Sequence, residues 1–351
     1  MVLEDVCELI ADCPHTTAPD EGKGYPLIRT PNVGKGKLLL EGVHRVSKDI
    51  YDKRNMRAIP QKDDIIFARE APAGNAALIR EGQEVCLGQR TVLIRPDCEK
   101  VFPEYLVYYL LAPEQQYKLL GTANGATVAH VNLPVIRKMQ IEMPEIDVQQ
   151  KIAGYISIYD DLIENNQRQI KLLEEAAQRL YKEWFVDLRF PGYENCKIVD
   201  GVPVEWKKKK LDEIADVIMG QSPKSEFYNK EHKGLPFHQG VGSYGARFVQ
   251  DDTYSTSFTK VAEANSILFS VRAPVGRLNI TKNKIVIGRG IAAINSKSGF
   301  QSYLFYALKE RFFKDDILGN GAIFASISKN ELLNQVFVIP DEKIMSAYEK
   351  I

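Results

Sequence analysis

Residues 64–74 of this chain, Asp64-Ile65-Ile66-Phe67-Ala68-Arg69-Glu70-Ala71-Pro72-Ala73-Gly74, are answered by residues 266–276, Ser266-Ile267-Leu268-Phe269-Ser270-Val271-Arg272-Ala273-Pro274-Val275-Gly276. Further echoes flank this pair in the same order: Leu3-Glu4-Asp5-Val6 with Leu211-Asp212-Glu213-Ile214, Cys86-Leu87-Gly88 with Val286-Ile287-Gly288, and Tyr105-Leu106-Val107-Tyr108 with Tyr303-Leu304-Phe305-Tyr306. Asn124-Gly125-Ala126 with Asn320-Gly321-Ala322 and Met143-Pro144 with Ile339-Pro340 complete the set. The offset slides from 208 (Leu3 to Leu211) to 196 (Asn124 to Asn320), as loop-length differences between two copies of one fold would make it. An ordered internal repeat means that the chain builds one kind of unit twice, so any fold assigned to one half must serve the other.

Each copy reads as mixed α and β. Ile65–Phe67, Val92–Ile94, Ile267–Phe269 and Ile285–Ile287 are short β-rich apolar runs, whereas Glu104–Leu111 and Tyr303–Phe312 have helical spacing. Asn124-Gly125 and Asn320-Gly321 are tight-turn sequences. The fold class is α+β. The expected organisation is a first domain over 1–146, a long spacer helix over 147–190, a linker over 191–206, a second domain over 207–340 and the start of a second helix over 341–351.

The spacer has its own period. Ile152, Ile156, Tyr159, Ile163, Asn166, Ile170, Leu173, Ala177, Leu180 and Trp184 step by 4, 3, 4, 3 without a break. Such a seam seeks a partner helix, and a 40-residue helix spans about 60 Å. Asp147, just past Pro144, is the expected N-cap, and Pro191-Gly192 ends the segment. A single amphipathic helix on a globular core is the alternative, but Asn166 on the seam favours the coiled coil, where a buried Asn fixes register. The second copy continues past Pro340 only through Asp341–Ile351, so its own long helix is missing or reduced to its first turns.

Composition narrows the chemistry. Lys plus Arg and Asp plus Glu both number 46, which argues against coating DNA by bulk charge. The balance is uneven, because residues 207–351 carry 21 basic against 15 acidic residues. Cys7, Cys13, Cys86, Cys98 and Cys196 are scattered, without a Cys-x-x-Cys pair, which fits a reducing cytoplasm; a Cys7, Cys13, His15 metal site lacks a second cluster. Met1-Val2-Leu3-Glu4-Asp5 has no basic region of a signal peptide, and no run reaches the roughly 18 to 20 apolar residues of a membrane span. Phosphate loops, His-Glu-x-x-His, Gly-x-Ser-x-Gly and the Asn/Asp-Pro-Pro-aromatic tetrapeptide are all absent, so catalysis is the poorer reading.

At these motifs the chain resembles the specificity (S) subunit of type I restriction-modification systems. The carriers are Leu211-Asp212-Glu213-Ile214-Ala215 followed by Gly220-Gln221-Ser222-Pro223, then Asn265 through Gly276, and the prolines Pro144 and Pro340. Gln149-Gln150-Lys151-Ile152, running to Leu180-Tyr181-Lys182-Glu183-Trp184-Phe185, is similar to the family's central helix. The first copy departs from the pattern, with Cys13-Pro14-His15 in place of Gly-x-Ser-Pro. The resemblance implies two target-recognition domains reading a bipartite site on double-stranded DNA, and two conserved helices pairing antiparallel. It implies methyltransferase (M) and nuclease/translocase (R) partner subunits. S-adenosylmethionine, ATP and Mg would sit on those partners, this chain would bind no cofactor or metal, and no membrane would be involved. A helix from another chain would complete the seam if the short ending is natural.

Candidate DNA contacts in the first copy are Arg29, Asn32, Lys35 and Lys37 after the Pro26 strand, with Arg69 and Asn75 around the Ala-Pro-x-Gly turn. In the second they are Gln221, Ser222 and Lys224, then His238, Gln239, Ser243, Tyr244 and Arg247 in a Gly-rich loop, with Arg272, Arg277 and Arg289. Each has an ordinary solvated role as its alternative, and Arg69 and Arg272 equally suit structural ion pairs. Lys207–Lys210 reads as a solvated linker. Tyr108, Tyr109, Tyr306, Phe312 and Phe313 have core-packing spacing rather than that of a stacking platform. The competing functions are a nuclease built on Asp63, Asp64 and Glu70, and a coiled-coil assembly scaffold without sequence preference.

Overall fold

The computed structural model of the chain describes residues 1–121, 130–312 and 326–351, so the turns Asn124-Gly125 and Asn320-Gly321 and the ring of Phe313 lie outside the described residues. The described residues form two compact units, Met1–Arg168 and Gln169–Ile351. The division falls inside one helix, not at its ends.

In the first unit the strands are β1 (Cys7–Asp12), β2 (Tyr25–Ile28), β3 (Gly36–Lys37), β4 (Arg45–Val46), β5 (Ile65–Ala68), β6 (Ala76–Leu78), β7 (Cys86–Leu87) and β8 (Thr91–Pro96). Its short helices are α1 (Lys48–Arg54), α2 (Pro103–Leu111), α3 (Pro113–Gly121) and α4 (Leu133–Arg137). One sheet runs β1-β8-β5-β6-β3 and another β4-β2-β7. Strand β5 is apolar throughout because both its faces are covered: Ile65 and Phe67 join a core that includes Leu106 and Leu110 of α2, while Ile66 and Ala68 join one with Ile28 and Val33. The run therefore shows no polar alternation.

A long helix, α5 (Ile146–Tyr181), follows. It begins at Ile146, one residue before the expected cap Asp147, because the Glu145 carbonyl already accepts from the amides of Val148 and Gln149. Gln149 fastens its first turn to the first unit. The buried side-chain oxygen accepts from the Phe102 amide at 2.9 Å, and the amide group donates to the Pro144 carbonyl at 2.8 Å.

The second unit contains β9 (Ile198–Val199), β10 (Val202–Pro203), β11 (Lys207–Lys210), α6 (Leu211–Ile214), β12 (Ala215–Met219), β13 (Tyr228–Asn229), β14 (Leu235–His238), β15 (Tyr254–Ser255) and β16 (Val261–Ala262). Then come β17 (Ile267–Ser270), β18 (Leu278–Ile280), β19 (Ile285–Ile287), β20 (Ile291–Ser296), α7 (Gln301–Phe312), α8 (Lys329–Leu333), β21 (Val336–Ile339) and α9 (Glu342–Glu349). Its sheet β12-β20-β17-β18 repeats β1-β8-β5-β6 in order, and the registers agree: Ile267 faces Ile294 as Ile65 faces Ile94. The parallel pair β14–β19 likewise repeats β2–β7. Lys207–Lys210 is not a linker as expected. It pairs antiparallel with Val336–Ile339, with its side chains largely exposed and its backbone hydrogen-bonded. Asp341 caps α9, accepting from the amides of Lys343 and Ile344, and Glu349 accepts from the Tyr303 amide at 2.9 Å, as Gln149 does from Phe102 in the first unit.

The heptad seam is continuous in sequence but not in environment. At its start the buried side chains are Gln149 and Ala153, beside the seam rather than on it. At its end Ala177, Leu180 and Trp184 pack into the second unit's core with Tyr303, Tyr306 and Tyr348, and residues 182–186 turn as a π-helix. Between these ends Tyr159, Ile163, Ile170 and Leu173 are 67%, 52%, 54% and 69% exposed, and Asn166 is exposed with them. Among the described residues no helix is long and apolar enough to cross a membrane.

Phe269 is fully buried against Phe312, with ring centroids 4.8 Å apart. Replacing it with Ala should cost about 3–5 kcal/mol. Leu173→Ser, on the open seam, should cost under about 0.5 kcal/mol. Urea unfolding of the intact chain reads both.

Candidate nucleic-acid interface

In the first unit, most candidate contacts hold the loops rather than project from them. Asn32 is buried; its side-chain oxygen accepts from the Arg29 amide at 3.2 Å and its nitrogen donates to the Leu39 carbonyl at 3.4 Å. Asn75 donates to the Val33 carbonyl at 2.9 Å. Both brace the hairpin over 30–39, because short amide side chains reach nearby backbone more readily than solvent. Lys35 stays exposed at the tip, and Lys37 pairs with Glu164 of α5 at 3.1 Å. Arg29 is partly buried, and its Nε has no hydrogen-bond partner among the described residues.

Arg69 takes the structural ion-pair role rather than that of a solvent-facing contact. It is 8% exposed, donates to both oxygens of Asp12 at 2.9 and 3.0 Å, and donates to the Val131 carbonyl at 3.0 Å. Its remaining nitrogen lies 3.0 Å from Nε2 of His130, whose Nδ1 lies 2.9 Å from Glu70. Glu70 also pairs with Arg90, and Asp12 with His15 at 3.3 Å. Charge buried at this depth is retained only when each member has a partner, and here each does.

In the second unit the backbone brings three glycine-rich turns together. A Cβ on Gly288 would meet Cα of Gln239 and Oγ of Ser222 at 3.0 Å, and one on Gly290 would meet the Gln239 carbonyl oxygen at 2.4 Å. Gln221, Lys224, Gln239 and Arg289 are exposed around this junction, and Ser222 accepts from the Arg289 amide at 3.2 Å. Beside it lies a cleft of about 570 Å³ lined by Tyr228, Phe237, Gln239, Ser243, Gln250 and Asp252. The Tyr228 and Phe237 rings stack with centroids 4.6 Å apart.

His238 is 1% exposed and cannot reach a base edge; its nitrogens lie 2.8 Å from Ser243 and 3.0 Å from Asp251, which pins the loop. Tyr244 is partly buried, with its hydroxyl unpartnered among the described residues. Arg247 pairs with Glu174 of α5 at 3.3 Å and lies over the Phe305 ring. Arg272 is exposed and Arg277 partly buried.

Sequence reasoning passed over Arg90, Tyr228, Phe237, Gln250 and Asp252. The adjacency of Arg90 to the repeated Cys86-Leu87-Gly88 was an available signal; the cleft residues come from β13, β14 and a following loop, with no local pattern to join them.

The acids of the nuclease alternative do not converge. Asp64 is buried on Arg95 at 2.8 Å, and Glu70 is engaged by His130 and Arg90. Among the described residues no group of three or more His, Cys, Asp or Glu could hold a metal ion.

Two imidazoles, partly buried His130 and buried His238, are held below the ordinary value of 6.5: His130 by desolvation and then by Arg69 and Arg90, His238 by burial, with Asp251 pulling the other way. The unfolded chain then binds a proton more readily than the folded one. The stability these groups contribute is complete above about pH 6.5 and declines as pH falls towards their folded values. The thermal midpoint of the intact chain should drop on acidification through this range, and His130→Gln should flatten part of that slope; equal slopes would exclude His130 as a source.

A family profile described as the type I restriction modification DNA specificity domain matches residues 1–175 and 203–348. A putative type I restriction enzyme MjaX specificity subunit from Methanocaldococcus jannaschii is 30% identical over 359 residues, covering 99% of this chain and 84% of the relative. The type I restriction enzyme HindI specificity subunit of Haemophilus influenzae is 22% identical over 378 residues, covering 83% and 81%. The crystal structure of a type I restriction-modification system S subunit from M. genitalium superposes with a TM-score of 0.59 at 16% identity, covering 100% of this chain and 87% of the other. That likeness is one of fold.

Proposed function

The chain belongs to the type I restriction-modification DNA specificity family, and we propose that it reads a two-part DNA sequence on behalf of a multi-subunit restriction and modification complex. In this family the specificity subunit recognises DNA while the chemistry belongs to partner subunits. The observation that carries the two-part reading is the duplicated sheet. Strand order and register repeat between the units, while the side chains on the turns beside them differ: Cys13-Pro14-His15 against Gly220-Gln221-Ser222, and Gln89-Arg90 against Arg289-Gly290. One scaffold carrying two sets of side chains suits two different half-sites.

Each unit would place its turns in a major groove, where base edges present distinguishable donors and acceptors. Exposed Lys35, Lys224, Arg272 and Arg289 would neutralise phosphates and set register. The 36 residues of α5 extend about 54 Å, enough to bridge half-sites a turn or more apart. Its open apolar stripe around Ile163 and Ile170 supports docking of partner helices, from methyltransferase subunits or from a second helical segment. Methyltransferase and nuclease subunits would bring S-adenosylmethionine, ATP and Mg.

A randomised-duplex selection with the intact chain and its methyltransferase partner is expected to enrich two short blocks separated by a constant gap. Enrichment of no sequence would leave only an assembly scaffold.

A further inference from the structure

We propose that Arg90 reads a guanine in the half-site of the first unit, aimed by a relay of partly buried charged side chains that the second unit lacks. This rests on the DNA-reading function above and assigns one of its contacts.

The internal repeat supplies the control. The Arg69 amide donates to the Arg90 carbonyl at 3.0 Å, and the Val271 amide donates to the Gly290 carbonyl at 2.9 Å, so Arg69 corresponds to Val271 and Arg90 to Gly290. The Val131 amide donates to the Arg69 carbonyl as the Ile327 amide donates to that of Val271, which places His130 opposite Ser326. Asp12 pairs with Val92 as Met219 pairs with Ala292. Five charged or titratable side chains, Asp12, Arg69, Glu70, Arg90 and His130, thus occupy positions held in the other copy by Met219, Val271, Arg272, Gly290 and Ser326. The fold does not need the charges, because the second unit closes the same sheet without this set.

Arg90 also has the wrong backbone for an ordinary residue. Its φ is +67°, a left-handed conformation that favours glycine, whereas Gly290 at the matching position lies outside that region. The turn is held there by the Arg90 amide donating to Sγ of buried Cys13 at 3.0 Å. Strain of this kind persists where the surroundings over-determine it, and it concentrates at functional positions.

The side chain completes the case. Arg90 is about half exposed (52%), and the carboxylate behind it, Glu70, is 16% exposed. Because Arg69 can only donate, His130 accepts at Nε2, carries its proton on Nδ1 and donates to Glu70. Arg69 is fixed in turn by Asp12 and the Val131 carbonyl. Each link removes a rotamer from the next, leaving one outward-facing guanidinium edge whose planar donors match the paired O6 and N7 acceptors of guanine. A phosphate contact would need no such orientation, since a flexible lysine suffices.

The test uses the intact chain with its methyltransferase partner in randomised-duplex selections. Arg90→Gly places the residue of the second copy on a backbone that favours glycine, so the thermal midpoint should hold or rise. Preference at one position of one block should fall about tenfold or more, with the other block unchanged. Glu70→Gln keeps the shape and removes the charge behind the guanidinium; it should weaken the same preference and no other, whereas a merely structural role would shift the midpoint or both blocks. If the wild type enriches two blocks and Arg90→Gly enriches them with unchanged preference, the assignment of Arg90 falls and the DNA-reading function stands. A uniform loss of affinity across sequences would make Arg90 a phosphate contact and overturn the base-reading role. If the wild type enriches nothing, the function itself falls.

Discussion

Strands β5 and β17 lie between two apolar layers, and the rest of each unit is arranged around that fact. Phe67 and Phe269 anchor the side towards α2 and α7, while Ile66 and Leu268 anchor the opposite side, all fully buried. A strand covered on both faces admits a polar residue only with an internal partner, as buried Ser270 has in the Pro274 carbonyl, and it tolerates no register slip, because a shift by one residue exchanges the two layers. This constraint keeps the central register identical between copies whose sequences have otherwise diverged. It also fixes where each strand ends, and so where the turns carrying the exposed polar residues emerge.

The helix α5 serves two kinds of environment along its length. Its first turns belong to the core of one unit through Gln149 and Ala153, its last turns to the other through Ala177, Leu180 and Tyr181, and the apolar residues between them remain open. Apolar side chains at this exposure on a regular seam are what helical partners recognise. The polar side of the same helix supports neighbouring loops, since Lys37 reaches Glu164 in one unit and Arg247 reaches Glu174 in the other. Such partly exposed pairs add little stability; they restrict where the loops can sit.

The two copies differ most where the fold constrains them least. In the first unit the ends of β1 and β5 carry an ion-paired cluster; in the second the corresponding strand ends carry Met219, Val271 and Arg272 in its place. The His238 network with Ser243 and Asp251 stiffens a loop of the second unit by a different route. Each unit therefore rigidifies its own loops with its own side chains, as the proposed reading of two unlike half-sites would require.

Duplication, the central strands and the long helix were legible in the sequence because each leaves a local periodic mark: the β run at 65–68, its echo at 267–270, and the 4-3 stepping from Ile152 to Trp184. The pairing of Lys207–Lys210 was not, since its partner strand lies at the far end of the unit. Nor could the sequence separate basic residues that point outward from those that do not. Arg69 and Lys35 look alike along the chain, yet Arg69 is taken out of solvent by Asp12 and His130, 57 and 61 positions away. Periodicity is set by neighbours within a turn or two, so the chain alone dictated its elements. Burial and ion pairing are set by residues that only folding brings together, so which polar side chains stay exposed belonged to the tertiary structure.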